Sequence, residues 1–251
     1  MSIDPVAAAG FGAAADVYER ARPSYLQEAV DWLVERTALG AGKTVVDVGA
    51  GTGKLTRLLV PSGARVVAVE PVAEMRARLR EAAPGAEALQ GTAEAVPLAD
   101  GAADVATVAQ AFHWFDHARA LPELHRVLKP GGALVLVWNM RDLADPLQQR
   151  VEDLLAPLRP ESDAQAGAWR EPLARSPLFG EPEEARFRHE QLFTVEGLCE
   201  RVASTSFVAA MPTDEREELL DRVRALAAGV PEPFAFPYVT EVSVARRNAR
   251  P

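Results

Sequence analysis

Three glycines at alternating positions are the first feature of the chain that points to chemistry. Gly49, Gly51 and Gly53 follow the apolar run 45–48, and this run contains a single acid, Asp47. Glycine lets the backbone turn tightly and lets a ligand approach the main chain. Amides that point outward before a helix suit groups that accept hydrogen bonds. The spacing differs from the dinucleotide pattern G-x-G-x-x-G, and the sequence contains no P-loop pattern.

A second acid, Glu70, ends the next apolar run, seventeen residues after Gly53. An acid at that place can accept hydrogen bonds from the hydroxyls of a ribose. A glycine turn followed in order by a helix, a strand and an acid therefore indicates a nucleoside ligand more strongly than glycines alone. The alternative is a tight turn and an exposed strand-end acid that bind nothing.

Strands and helices must alternate to bring the glycines and the acid together. Apolar runs predict strands at 44–48, 66–70, 88–90, 105–109 and 133–138. Helices are predicted from Ser24 (with Gln27 completing a capping box), over 53–60, around Met75 and Leu79, and from Asp116. Continuous apolar strands between helices are typical of a parallel sheet that is covered on both faces.

The pattern changes after Arg141. A helix is predicted from Asp145-Pro146, strands over 185–193 and 238–245, and helices over 195–202 and 214–227. We expect this part to fold over the carboxyl edge of the sheet rather than to form an independent domain. Phe179, Phe193 and Phe207 are candidates for an apolar pocket there, or for core packing.

Composition excludes several classes of function. The 251 residues carry a net charge of −9, so nucleic acid is a poor partner. Cys199 is the one cysteine, which allows no intrachain disulfide and suits a reducing cytoplasm; we expect it to be buried and not catalytic. The N-terminus lacks a signal-peptide pattern, and no apolar stretch approaches the roughly 18 residues that span a bilayer. We therefore expect a cytoplasmic protein with no membrane partner, and we assign no metal site.

Segment 47–53 resembles the first motif of class I S-adenosylmethionine-dependent methyltransferases, and Glu70 matches the acid that ends their second strand. Segment 91–98 is similar to their adenine loop, and segment 124–132 resembles the entry to their fifth strand. Together these motifs cover about residues 40–140. Segment 109–116 is further similar to a subgroup of small-molecule enzymes, the trans-aconitate methyltransferase-like proteins.

The resemblance implies an α/β fold, Rossmann-like and doubly wound. The sheet would be mostly parallel with seven strands, the last antiparallel, with helices on both faces and helical lid insertions. The predicted layout is one domain over 1–251, with an N-terminal helical cover (1–40), a cofactor-binding core (41–140), lid and acceptor-pocket insertions (141–230), and a final strand and tail (231–251).

The same resemblance implies that S-adenosylmethionine is bound and that S-adenosylhomocysteine is the product. The cofactor site would comprise Asp47, Gly49, Ala50, Gly51, Gly53, Glu70, Pro71, Thr92, Ala93, Glu94, Gln110 and Arg22. Glu70 would hold the ribose, and Arg22 the methionine carboxylate. Many relatives have an aspartate in place of Thr92, so either Thr92 or Glu94 would contact the adenine. Pro71 would lie against the adenine ring, or simply be the first residue of a helix.

His113 is the candidate general base, since it follows the fourth strand and histidine titrates near neutrality. The alternative is a histidine that packs against its aromatic neighbours. His117 and His125 are expected to be solvent-facing or half-buried. The candidate acceptor site comprises Tyr18, Trp114, Trp138 and Asn139, with core packing as the alternative for Trp138.

The predicted reaction is direct displacement of a methyl group onto a small organic acceptor, at an oxygen of a carboxylate or a hydroxyl. Two alternatives remain at this point: a nicotinamide-dependent oxidoreductase, and a non-catalytic cofactor-binding protein with a methyltransferase fold. The protein is expected to be a monomer or a homodimer.

Overall fold

The computed structural model describes residues 22–159 and 170–249. Their strands form one sheet of seven, in the order β3-β2-β1-β4-β5-β7-β6. The strands are β1 Thr44–Val48, β2 Arg65–Val69, β3 Glu87–Leu89, β4 Ala103–Ala109, β5 Leu128–Arg141, β6 Glu183–Phe193 and β7 Phe234–Arg246. The sheet is mixed and its last strands are antiparallel, which confirms the doubly wound, Rossmann-like fold that the sequence predicts.

The helices are α1 Gln27–Thr37, α2 Thr56–Leu59, α3 Ala73–Ala82, α4 His117–Val127, α5 Pro146–Leu155, α6 Arg170–Ala174, α7 Val195–Ala203, α8 Ser206–Ala209 and α9 Thr213–Ala227. Short 3₁₀ turns occupy Val60–Ser62, Phe112–Trp114 and Ala156–Leu158. Every longer helix that the periodicity predicts is present. In α5 the Asp145 side chain accepts a hydrogen bond of 2.8 Å from the Gln148 amide, as the Asp-Pro start predicts.

The parallel strands place the glycine turn at the point where the strand order reverses. β1 pairs in parallel with β2 on one side and with β4 on the other. The connection from β1 therefore leads away from β4, and a crevice opens outside the carboxyl ends of these two strands. Ligands of open α/β sheets bind in such crevices, and the residues that follow β1, β2 and β4 are the ones that line it.

Two predicted helix starts are wrong. α1 begins at Gln27, not at Ser24, and no side chain caps it. In this extended entry Tyr25 is buried and Leu26 is half-buried; full burial of one such side chain is worth about 2 kcal/mol, more than the ~1 kcal/mol of a cap. α2 begins at Thr56, not at Gly53, because Gly53 has φ +86°, which no α-helix accommodates.

The described residues divide into two compact units. The first unit comprises 24–138, 170–187 and 240–249; the second comprises 22–23, 139–159 and 188–239. Each unit buries its own apolar cluster. Leu33, Val45 and Val135 are central in the first unit, and Leu198 and Val223 are central in the second.

The burial of four further side chains can be compared with what the sequence predicts. Cys199 is buried, as predicted, and burial raises the pKa of its thiol to about 11. His125 is buried, which corrects the expected exposure, and its Nε2 lies 3.0 Å from the Asn248 carbonyl oxygen. Phe179 and Phe193 are buried as well. Within the described residues, no helix has both the length and the apolar character needed to cross a membrane.

Candidate functional site

Two glycines of the turn after β1 have positive φ values, but the space around their Cβ positions differs. Gly49 has φ +70°, and a Cβ built there would lie 2.8 Å from the Ala111 Cβ. Its amide donates to the Val69 carbonyl oxygen at 2.9 Å, which ties the turn to the end of β2. Gly51 has φ +57°, and within the described part of the chain nothing beyond its own neighbours lies within 4 Å of its Cβ position. The turn is thus packed against protein at Gly49 and open at Gly51, where a ligand can approach the backbone.

Glu70 lies directly after β2 and faces this turn. Its carboxylate accepts hydrogen bonds from the Gly51 amide (2.8 Å) and from the Val72 amide (2.9 Å). Burial raises the pKa of Glu70, while these two bonds and the charge of Arg76 act in the opposite direction. An ionised carboxylate has about four acceptor positions. With two of them used, Glu70 retains acceptor capacity for a pair of ligand hydroxyls.

Arg76 fixes the segment that carries Glu70. Its guanidinium donates to the carbonyl oxygens of Glu70 (2.8 Å) and Pro71 (3.1 Å). Pro71 is half-buried and precedes the helix by two residues, because α3 begins at Ala73; it is therefore not the first residue of a helix. The sequence offers a weak signal for Arg76, a basic residue in the first turn of a helix, where a basic side chain is disfavoured.

Asp47 supports the glycine turn from within the sheet. It is 1% exposed, and its two oxygens accept hydrogen bonds from the hydroxyls of Thr56 (2.6 Å) and Thr107 (2.8 Å). Burial is the largest cause that raises its pKa, to about 6, and the two hydroxyls act against it. The side chain links β1 to α2 and β4. The signal that could have found Thr107 is its polarity inside an apolar strand.

The candidate adenine loop is held by α4. Thr92 and Ala95 form a short antiparallel bridge around buried Ala93. Glu94 turns toward the start of α4, where its Oε1 accepts a hydrogen bond of 3.0 Å from the Asp116 amide. This bond gives Glu94 a role in positioning the loop and uses one of its acceptor positions, so Thr92 and Glu94 both stay candidates for the adenine contact.

Glu123 and Arg126 of α4 form hydrogen bonds with the backbone of the same loop at residues 96–98. The Glu123 carboxylate accepts from the Val96 amide at 2.8 Å. Arg126 donates to the carbonyl oxygens of Val96 (3.2 Å) and Leu98 (2.9 Å), and it pairs with Glu123 at 2.7 Å. The pKa of Glu123 is lowered, chiefly by its bond to Arg126. The sequence shows this i, i+3 pair, but it cannot show that both side chains form hydrogen bonds with the backbone of the loop.

The segment after β4 carries the candidate base. Gln110 has φ +56°, a left-handed conformation that is uncommon for a residue with a side chain. Its amide donates to the Val137 carbonyl oxygen at 3.0 Å, which joins the ends of β4 and β5. The half-buried His113 ring then contacts two indoles, with ring centroids 4.5 Å from Trp114 and 5.3 Å from Trp138. These contacts bring three of the predicted site residues together.

The remaining predicted residues lie elsewhere. Ala50 follows Gly49 in the turn, and its amide donates to the Val69 carbonyl oxygen at 3.2 Å. Asn139 is half-buried near the end of β5 and belongs to the second unit. Arg22 also belongs to the second unit, where it donates to the Ser204 hydroxyl (3.2 Å) and carbonyl oxygen (2.9 Å). Tyr18 lies outside the described residues.

Comparison with known proteins yields a consistent set of relatives. A family model described as a methyltransferase domain matches residues 46–136, all within the first unit. An uncharacterized methyltransferase of Mycobacterium tuberculosis is 43% identical over 239 residues, which cover 92% of each chain. A trans-aconitate 2-methyltransferase of Azoarcus sp. is 42% identical over 108 residues, which cover 41% of this chain and 42% of the relative.

The fold has a counterpart among solved structures. A protein of Anaeromyxobacter dehalogenans, provisionally assigned as a type II methyltransferase, aligns with a TM-score of 0.65 at 24% sequence identity. The alignment covers 90% of this chain and 97% of that one. At that identity the likeness concerns the fold alone.

Proposed function

The chain belongs to the class I S-adenosylmethionine-dependent methyltransferases, and from that premise we propose that it transfers the methyl group of S-adenosylmethionine to an oxygen of a small organic acceptor. The observation that carries the proposal is the pairing of Glu70 with the open turn at Gly51. A carboxylate with spare acceptor positions lies 2.8 Å from the amide of a glycine whose Cβ position has no atom of the described residues within 4 Å.

The residues present fit the adenosyl group. Glu70 would accept hydrogen bonds from the ribose hydroxyls, and the backbone around Gly51 would lie against the methionine part. Thr92 and Ala93 would flank the adenine, with Glu94 holding their loop to α4. Asp47 would not contact the cofactor itself; it would fix the glycine turn through its hydrogen bonds with Thr56 and Thr107. Arg22 stays a candidate for the methionine carboxylate.

The sulfonium of the cofactor supplies a methyl group that is already activated, so the protein's part is to bind and to orient. In the displacement, an acceptor oxygen forms a bond to the methyl carbon as the carbon–sulfur bond breaks, and the electron pair of that bond stays on sulfur. Alignment of the reacting atoms is the largest effect available, worth up to about 7–11 kcal/mol. A base is needed only if the acceptor is a hydroxyl, and His113 is then the candidate.

The test of cofactor binding is calorimetric titration with S-adenosylhomocysteine. We expect micromolar affinity in the wild type and a loss of at least tenfold, about 1.4 kcal/mol, in Glu70→Ala. Glu74→Ala is the matched control, because Glu74 is an exposed acid four residues further along the same segment. Its affinity should stay within about twofold of the wild type.

Two outcomes would overturn the proposal. One is a folded wild-type protein that does not bind S-adenosylhomocysteine; binding of a reduced nicotinamide in the same titration would then identify an oxidoreductase. The other is tight cofactor binding with no methylated product from a broad panel of hydroxyl and carboxylate acceptors, which would identify a non-catalytic binding protein. A cytoplasmic location, a monomeric or homodimeric state, and a lid formed by 141–230 stay predictions.

A further inference from the structure

His117, the first residue of α4, binds the segment that precedes it in the chain. Its Nε2 lies 2.9 Å from the Phe112 carbonyl oxygen, and its ring packs on the Phe112 ring with centroids 4.6 Å apart. A carbonyl oxygen can only accept a hydrogen bond, so Nε2 of His117 must carry a proton and donate it. His117 is half-buried and Phe112 is buried. One side chain therefore holds both the backbone and the ring of Phe112.

The Phe112 carbonyl oxygen also closes the 3₁₀ turn that carries the candidate base. The Phe115 amide donates to it at 3.2 Å, which is the i to i+3 bond of such a turn. The turn spans Phe112–Trp114, with His113 as its middle residue. A carbonyl oxygen has two lone pairs. One serves the turn and the other serves His117, so the turn is joined to the first residue of α4.

The same segment packs against the glycine turn. The Ala111 Cβ lies 2.8 Å from the Cβ position of Gly49, and the nearest Phe115 ring atom lies 3.4 Å from it. The Phe115 ring packs edge-on against the Phe112 ring, with centroids 5.9 Å apart. A shift of Phe112 would therefore move both residues that contact Gly49.

The candidate adenine loop is joined to this segment as well. Glu94 accepts a hydrogen bond of 3.0 Å from the amide of Asp116, the residue just before His117. Residues 111–117 thus connect the glycine turn, the candidate adenine loop and the candidate base, all within the first unit. A ligand that contacts the first two binds more tightly when their spacing is fixed in advance, because less ordering is needed on binding.

We propose that His117 is a positioning residue of the cofactor site. Its hydrogen bond to the Phe112 carbonyl oxygen keeps residues 111–116 in the arrangement that holds the glycine turn and the candidate adenine loop at a fixed spacing. That the ligand is S-adenosylmethionine rests on the proposed function. Because His113 lies on the same turn, the bond also fixes the candidate base relative to the bound cofactor.

Two substitutions separate the hydrogen bond from the ring. His117→Phe keeps a ring on Phe112 and loses the donor. His117→Gln loses the ring and keeps the donor, because the amide nitrogen of glutamine is as many bonds from Cα as Nε2 of histidine. In calorimetric titration, His117→Phe should bind S-adenosylhomocysteine at least about fivefold more weakly than the wild type, the factor that one hydrogen bond contributes. His117→Gln should stay within about twofold of the wild type.

His125→Phe is the matched control. His125 lies on the same helix, and its Nε2 is 3.0 Å from the carbonyl oxygen of Asn248. The substitution therefore removes the same kind of bond from the other end of α4. A general weakening of the helix would act in both variants, whereas the proposed role of His117 predicts that His125→Phe leaves the affinity within about twofold of the wild type.

Amide hydrogen exchange reports on the turn without any cofactor. The Trp114 amide donates to the Ala111 carbonyl oxygen at 2.9 Å, and the Phe115 amide donates to that of Phe112. Both amides should exchange at least about fivefold faster in His117→Phe and at nearly the wild-type rate in His117→Gln and His125→Phe. Unchanged exchange of the β1 and β4 amides would show that the variants are folded.

The proposal is overturned if His117→Phe binds S-adenosylhomocysteine like the wild type, if His117→Gln or His125→Phe loses as much affinity, or if the exchange of the two amides does not change. Failure of the cofactor proposal would appear separately, as absent S-adenosylhomocysteine binding in the wild type. The exchange rates would then decide alone whether His117 holds the turn.

Discussion

Replacing Asp47 by asparagine tests whether this buried side chain, which accepts hydrogen bonds from Thr56 and Thr107, is negatively charged at neutral pH. The pKa of Asp47 is raised from 3.8 to about 6. A group whose pKa is higher in the folded state contributes stability below its unfolded pKa, and this contribution is lost as the pH rises through the folded value. Asp47→Asn keeps the shape and has no charge at any pH, so it should not show this loss.

The size of the effect follows from the two pKa values. A shift from 3.8 to about 6 corresponds to about 3 kcal/mol over the full window, at 1.36 kcal/mol per pH unit. At pH 4.0 the aspartate of the unfolded chain is already more than half ionised. Between pH 4.0 and pH 7.5 the wild type should therefore lose roughly 2.4 kcal/mol relative to Asp47→Asn. Any pH-independent cost of the amide cancels in this difference.

The assay is urea unfolding of both proteins at pH 4.0 and pH 7.5, followed by tryptophan fluorescence. Trp32, Trp114 and Trp138 belong to the unit that contains Asp47, so the signal reports on the unfolding of that unit. Asp31→Asn is the control, because Asp31 is an exposed aspartate of the same unit and its removal should give a curve parallel to that of the wild type. Parallel pH curves for wild type and Asp47→Asn would refute the reasoning.

Four further substitutions test neighbouring features. Gly49→Ala should lower the free energy of unfolding in urea by about 3 kcal/mol or more, because the new methyl group clashes with Ala111 and the residue has a left-handed φ. Gly51→Ala should lower it by only about 1–2 kcal/mol and should act mainly on cofactor affinity. Equal losses of stability in the two variants would contradict the packing described for Gly49. Arg126→Met should lower S-adenosylhomocysteine affinity several-fold in calorimetry by loosening the loop at 96–98, and an unchanged affinity would show that the loop holds without it. His113→Gln should lower kcat at least tenfold for a hydroxyl acceptor if His113 is the base, and should leave kcat within about twofold of the wild type if the ring only packs against its two indoles.

The sequence predicts the β1 strand to the residue, because its apolar run ends abruptly at the glycine turn. It also predicts Glu70 at the end of β2, since strand, turn, helix and acid follow one another within a short stretch. Such local order is visible without a structure. The start of α1 is not, because the capping pattern at Ser24 competes with the burial of Tyr25 in a core formed by distant strands.

Long-range partners account for the rest of what the sequence does not show. Thr107 reaches Asp47 across sixty residues of chain, and the acceptor of His125 at Asn248 is 123 residues away. Arg22 has the same character, because its acceptors on Ser204 are 182 residues away. Only the folded second unit brings these two residues together.

Because each unit packs its own apolar core, the two can accumulate substitutions with little mutual effect. Free-energy changes at sites without shared partners add, so a destabilising change around Leu198 or Val223 leaves the packing of Val45 and Val135 intact. Substitutions around Leu198 or Val223 and substitutions around Val45 or Val135 should therefore have additive effects on the free energy of unfolding. The family model matches only residues 46–136, so the sequence pattern that defines the family is carried by the unit that contains the glycine turn and Glu70.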